Sequence, residues 1–330
     1  MTQARPRIAS LKRFAPDPYI VALLAMVLLA SLAPVRGVAT GPFSLAVKIA
    51  IGLLFFLHGA KLSGQAVVAA LTHWRLHLTV LAATFGLFPL LGLAARWLPE
   101  WVLPASLSSG VLFLCCLPST VQSSIAFTSV ARGNVAAAIC AASASNLLGI
   151  FITPVLVAIT LGARGEGGAL GAVGAVVLQL LAPFAAGQIA RARIGGWIER
   201  HDRLVGYVDR GSILLVVYGA FSAAVVGGIW TQVSVSQIAK LAMVCGVLLA
   251  LVLAATALAA RLFGFSKADE ITLVFCGSKK SLASGVPMAS VLFAPARVGL
   301  MVLPLMIFHQ LQLMACAVIA QRYAARGQEA

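Results

Sequence analysis

Two adjacent lysines, Lys279 and Lys280, sit in the middle of "LVFCGSKKSLASGVPMASVLF" (273–293), a segment otherwise apolar enough to cross a membrane. An ammonium group at bilayer depth costs about 2.5 kcal/mol or more. At 1.5 Å per residue these two have roughly 15 Å of mostly apolar chain on either side, too far to snorkel to an interface. They need a partner, water or an anion. The nine acidic residues are Asp17, Glu100, Glu166, Glu199, Asp202, Asp209, Asp269, Glu270 and Glu329, and none lies in the middle of an apolar segment. Either one lysine is neutral, or an anion visits. The pattern points to a polar cavity in which the charge awaits an anionic solute or does the work of a cation.

A second constellation has the same form. In "FLCCLPSTVQSSIAFTSVARGN", Pro118 falls near the middle of an apolar run and is followed by Ser119, Thr120, Gln122, Ser123 and Ser124. Proline removes a helical hydrogen bond and clashes with the preceding turn. Non-helical backbone at this depth is tolerated only inside protein or beside a watery cavity. Gly277, Ser278, Lys279, Lys280 and Ser281 repeat the device, and Gly285 and Pro287 are expected to loosen the stretch that follows. The bland alternative is that Pro, Gly, Ser and Thr are common in membrane helices and often only bond back to nearby carbonyls. Two breaks in register favour a solute site. Other polar residues at similar depth are Thr84 before Pro89, then Ser143, Ser145 and Asn146, and His309, Gln310 and Gln312. His58 reads as a packing histidine. Lys48, Lys61 and Lys240 lie nearer segment ends, where snorkelling suffices.

The elements that must position these residues follow from composition. The chain has 330 residues, 61% of them hydrophobic and 10% charged, which excludes a soluble domain. It reads as an all-α polytopic membrane protein with ten spans, near 18–35, 42–71, 75–98, 104–130, 133–161, 167–191, 206–229, 236–263, 267–293 and 297–322. The N-terminal stretch 1–17 lacks a signal-peptide pattern and reads as a cytoplasmic tail. With this count, fifteen Lys and Arg fall on the side of both termini and four on the other. The positive-inside rule then puts both termini in the cytoplasm, and the expected location is the cytoplasmic (inner) membrane of a bacterium. "RARIGGWIERHDRLVGYVDR" (191–210) becomes a cytoplasmic loop. The net charge of +15 is accounted for by topology, not by nucleic acid. Cutting the chain in "LGARGEGG" leaves five spans on each side, 18–163 and 164–330. Five is odd, so the halves run in opposite directions, as in an inverted repeat. All six cysteines lie in apolar segments and read as small buried hydrophobes. Metal-ligand spacings and nucleotide-binding motifs are absent from the sequence, so no cofactor is expected beyond Na+ or H+ as a coupling ion.

The segments "LPSTVQSSIAFTSVARGNVAAAICAASASNLLGIFITPVL" and "FCGSKKSLASGVPMASVLF" resemble the fourth, fifth and ninth spans of the bile acid:sodium symporter family (solute carrier family 10), in its divergent bacterial-type branch. The resemblance implies ten spans in inverted five-span repeats. It also implies a core domain of spans 3–5 and 8–10, a panel domain of spans 1, 2, 6 and 7, and unwound spans 4 and 9 crossing near sodium sites. The family's sodium ligands carry over poorly. The span 4 serine is matched by Ser124, but the neighbouring asparagine position holds Ile125. The two span 5 positions hold Ala138 and Ala142, the span 9 glutamate position holds Phe275 and its glutamine position holds Lys279. The span 3 glutamine falls near Thr84. The expectation is therefore that the Lys279 ammonium replaces a bound cation, with a candidate sodium site near Ser123, Ser124 and Ser278.

The sequence thus points to a secondary transporter of an organic anion, a bile-acid-like or other amphiphilic or carboxylate solute, moved by cation-coupled alternating access. The expected partners are that small anion and the lipid bilayer; oligomeric state is not legible. Two other classes compete. A regulator that keeps the fold without transporting would show no solute flux. A membrane enzyme could use Ser278–Lys279 or Lys280–Ser281 as a Ser-Lys dyad. It would lack a Gly-x-Ser-x-Gly motif, and adjacent residues point to different faces.

Overall fold

The computed structural model describes residues 18–61, 73–162 and 177–326. The expected tail 1–17, the end of the second span and the junction at 163/164 lie outside them. The described chain is helical. In order, the helices are α1 (Pro18–Leu32), α2 (Thr40–Lys61), α3 (Trp74–Ala95), α4 (Ala105–Cys116), α5 (Gln122–Val130) and α6 (Val135–Leu161). They are followed by α7 (Ala182–Arg200), α8 (Asp202–Val226), the short α9 (Ile229–Gln232), α10 (Val235–Leu262), α11 (Lys267–Gly277), α12 (Leu282–Leu292) and α13 (Pro295–Arg326). Among the described residues, six helical stretches are long and apolar enough to cross a membrane: 37–61, 74–95, 135–161, 202–226, 235–262 and 295–325. Large apolar side chains on their outer faces, such as Leu45, Ile49, Leu90 and Ile159, are exposed. In water that would be unfavourable; against acyl chains it is the favourable arrangement.

Local chemistry sets the boundaries. Asn134 caps α6 by accepting from Ala137 N at 3.0 Å, and Gly162 ends the helix at φ 60°. Ser234 and Gln237 form a reciprocal capping box at the start of α10. Ser266 and Ser281 cap α11 and α12. The "ARGN" turn joins α5 to α6. Arg132 adopts φ 61°, and a Cβ on Gly133 would lie 2.5 Å from Ile271, so the chain can turn this close to α11 only with glycine there. Asn134 then ties the turn to α11, through Nδ2 to Asp269 Oδ1 and its backbone N to Ala268 O.

Both expected breaks are present: α4 ends at Cys116 and α5 starts at Gln122, while α11 ends at Gly277 and α12 starts at Leu282. Two expectations are corrected. The polar stretch 191–210 is not a loop. α7 runs to Arg200 and α8 starts at Asp202, so only His201 interrupts the helices. Its charges are carried on helix surface, where Arg200 folds back to Gly196 O and Trp197 stacks on His201. Nor do Gly285 and Pro287 loosen the second half of the ninth span, because α12 continues through both. Gly285 packs tightly there against Leu117 and Leu305.

Packing divides the contacts. α2 lies against α7 and α8, and α1 lies against α8. Elsewhere α4 packs on α3, α6 and α13, and α10 packs on α11 and α13. The half-helices α5 and α11 pack on one another, and α8 meets α12 and α13. The largest buried cluster, including Phe88, Phe113, Phe221 and Phe308, holds the ends of α4 and α12 in place around the two breaks.

Candidate functional site

A broken helix strands carbonyl oxygens on one side and N–H groups on the other. The carbonyls of α4 and its break are matched one by one. Cys115 O accepts from Lys280 Nζ (2.8 Å), Cys116 O from Thr153 Oγ1 (2.8 Å) and Leu117 O from Lys280 Nζ (2.6 Å). Pro118 O accepts from Ser281 N (2.9 Å) and Ser119 O from Asn146 Nδ2 (2.6 Å). On the other break, Val274 O accepts from Ser278 Oγ, Phe275 O from Ser124 Oγ, and Cys276 O from Ser119 Oγ. Each break therefore satisfies the other. Asn146 joins both, since its Oδ1 also accepts from Ser284 Oγ on α12 at 2.7 Å. Gln312 on α13 grips both backbone groups of Lys280, accepting from its N and donating to its O.

The two lysines diverge because successive residues of an extended break point to opposite sides. Lys280 is fully buried. Besides Cys115 O and Leu117 O, its Nζ donates to Thr84 O at 2.7 Å and lies 4.1 Å from the Phe88 ring centroid. The Thr84 oxygen is free for a reason readable in sequence. Residues 83–87 of α3 form a π turn in which Phe88 N–H bonds Ala83 O. The next N–H in that register would come from residue 89, which is proline. Lys279, also buried, turns the other way: Nζ donates to Ser123 O at 2.8 Å and lies 4.1 Å from Phe127 and 5.3 Å from Phe275. Charge-assisted hydrogen bonds are worth about 1.5–3 kcal/mol each. Three of them exceed the roughly 2.5–3.5 kcal/mol insertion cost of Lys280. Lys279 offsets its own with one bond and two ring faces.

Beside the crossing lies a cavity of about 640 Å³. The first turns of α5 (Gln122, Ser123) and α12 (Leu282 to Ser284) form one wall, so the positive ends of two half-helix dipoles face the space. Tyr19, Phe55 and Phe184 line the opposite wall together with four polar or charged residues, His58, Lys61, Asp209 and Arg210. The cavity is apolar in its body and positive in balance, with Lys61 and Arg210 against Asp209. His58 Nε2 lies 3.5 Å from Asp209 Oδ1, a contact too long for a good hydrogen bond.

Of the residues singled out by sequence, Gln122, Ser123, Ser143, Asn146, Ser281 and His309 line this cavity. Ser119, Ser124, Ser278, Lys279 and Lys280 lie in the buried crossing beneath it, with Pro118 between the breaks. Thr84 contributes its carbonyl, while its hydroxyl has no hydrogen-bond partner among the described residues. Gln310 is half-buried on α13, outside the cavity lining. Neither Ser-Lys pair forms a dyad: Ser278 Oγ bonds Val274 O, and Ser281 Oγ bonds Ser284. His58 lines the cavity and also packs its ring edge-on against Phe55. Asp209, Arg210, Lys61 and Ser284 were not picked out. The three charged residues lie near helix ends, where charge reads as solvated surface, Ser284 lies just past the polar break, and only the neighbouring helices show that they face inward. Among the described residues no cluster of His, Cys, Asp or Glu is suited to a metal.

Residues 17–325 match the SBF-like CPA transporter family (DUF4137). The chain is 60% identical over 319 residues to "Uncharacterized protein PA2026" of Pseudomonas aeruginosa, covering 96% of each chain. It is 54% identical over 307 residues to "Putative symporter YfeH" of Escherichia coli, covering 93% of this chain and 92% of the relative. It is 30% identical over 324 residues to sodium/bile acid cotransporter 7 of Mus musculus, covering 94% and 93%.

Proposed function

The chain belongs to the SBF-like CPA transporter family, and on that premise we propose that it moves an organic anion across the membrane by symport with a cation. It is an integral membrane transporter, not an enzyme. The observation that carries the anion is the cavity: two half-helix N-termini on one wall, Lys61 and Arg210 on the other, and an apolar body between them. That combination suits an amphiphile with one carboxylate or sulfonate, and the bile acid in a relative's name is the first solute to try.

In this reading the helices form two five-helix repeats of opposite direction. α3–α6 and α10–α13 are the core; α1, α2, α7 and α8 are the panel. The cavity lies between them. Alternating access is a movement of the panel against the core about the rigid crossing. Lys61 and Arg210 lie on the basic side of the protein, which supports a cavity that loads or empties at the cytoplasmic face.

The test is uptake of labelled taurocholate and of a smaller aromatic carboxylate into proteoliposomes under imposed sodium or proton gradients. Wild-type protein should accumulate at least one of them above protein-free vesicles. Arg210→Gln should raise KM roughly tenfold, the loss of one charge-assisted contact, with a smaller change in maximal rate. Absence of flux for every anion tested, under both gradients, would sink the reading.

A further inference from the structure

We infer that the Lys280 ammonium is the cation of the broken-helix crossing, so that the crossing assembles without sodium. In transporters with broken helices, freed carbonyls and half-helix C-terminal ends are where coupling cations are held. In this protein that place is filled by a side chain. Cys115 O and Leu117 O are at the C-terminal, negative end of α4, and Thr84 O comes from the π turn of α3. Three acceptors match the three hydrogens of an ammonium, whereas a neutral amine would turn its lone pair on one oxygen. The neighbouring carbonyls of both breaks, from Cys116, Pro118, Ser119, Val274, Phe275 and Cys276, are taken by protein donors. Ser124, Ser119 and Ser278 spend their hydroxyls on those carbonyls. Of the candidate sodium ligands, Ser124 and Ser278 thus spend their hydroxyl hydrogens on closing the crossing, while the Ser123 hydroxyl pairs with Thr120 beside the cavity. Lys279 was the expected stand-in, but it meets one carbonyl, and the oxygen cage belongs to Lys280.

The inference deepens the transport reading by assigning the ion dependence of the same site, and it is tested without any solute. Melting of purified protein is followed in choline, sodium and ammonium chloride at matched ionic strength. Wild type should melt at the same temperature in all three, because no small cation binds the folded crossing, which leaves the proton as the cation of the symport. Lys280→Ala, which vacates a space bordered by three carbonyls, should melt about 5 °C or more lower in choline. Sodium or ammonium should restore at least about half of that loss, as a bound ion replaces the missing ammonium. Lys280→Met fills the same space with an apolar chain and should be lowered without rescue. A sodium-specific rise in wild type, or indifference of Lys280→Ala to all three salts, overturns the inference. If Lys280→Ala does not fold, the wild-type comparison decides alone. Failure of taurocholate uptake would leave these melts unaffected, so the two readings fail separately.

Discussion

At the scale of single residues, Asn146 is the side chain that bridges the two breaks. It donates to Ser119 O in one break and accepts from Ser284 Oγ at the other, so one side chain fixes the spacing of two half-helices. Asn146→Ala leaves both partners buried without their bond, at about 2 kcal/mol, or a fall of roughly 5 °C in melting temperature. A double-mutant cycle with Ser284→Ala should return a coupling of about 1 kcal/mol, read from melting; additivity within about 0.3 kcal/mol would show that the bond does not form. Asn146 and Ser123 were legible in sequence because polar residues at mid-span are rare. Asp209 and Arg210 were not, since a charge one or two turns from a helix end has the same appearance whether it faces solvent or a cavity. The separate destinations of Lys279 and Lys280 were half legible: alternation shows that they diverge, and only the fold shows toward what.

At the scale of elements, the irregularities were better foreseen than the regular parts. Pro118 with its polar run and the Gly-Ser-Lys-Lys-Ser stretch at 277–281 marked both breaks, because a helix breaker followed by several polar residues is costly in an unbroken membrane helix. Pro287 was over-read, since one proline inside a packed α12 leaves the helix running. The loop expected at 191–210 failed for the opposite reason: polarity marks exit from the bilayer and not the end of a helix. The π turn of α3 had no sequence signal beyond Pro89, yet it presents Thr84 O to Lys280. A sharp expectation follows. Replacing a proline in a helix interior usually stabilises, because the lost hydrogen bond returns. Pro89→Ala restores an N–H that competes with Lys280 for the Thr84 carbonyl, leaving a buried ammonium one acceptor short. We expect Pro89→Ala to lower the melting temperature by a few degrees, and a higher melting temperature would show that α3 gains more than the crossing loses.

At the scale of the whole molecule, charge distribution and cavity position bear on one another. The basic excess lies on the side of Lys61, Arg210, Arg200 and Arg261, and exposed tryptophans mark both ends: Trp74 and Trp197 on that side, Trp97 and Trp101 on the other. If that side is cytoplasmic, the cavity in this conformation faces the cell interior and the opposite side must open to complete a cycle. Orientation can be read chemically because all six native cysteines are buried and should be silent to a membrane-impermeant maleimide. With the basic side cytoplasmic, Val38, 97% exposed between α1 and α2, would lie on the outer side and Tyr207, 72% exposed on α8, on the inner. Val38→Cys should label in intact cells, and Tyr207→Cys only after the membrane is opened. The reverse pattern would invert the protein, make Lys61 and Arg210 an outward-facing pair, and turn the cavity from a site of release into a site of capture.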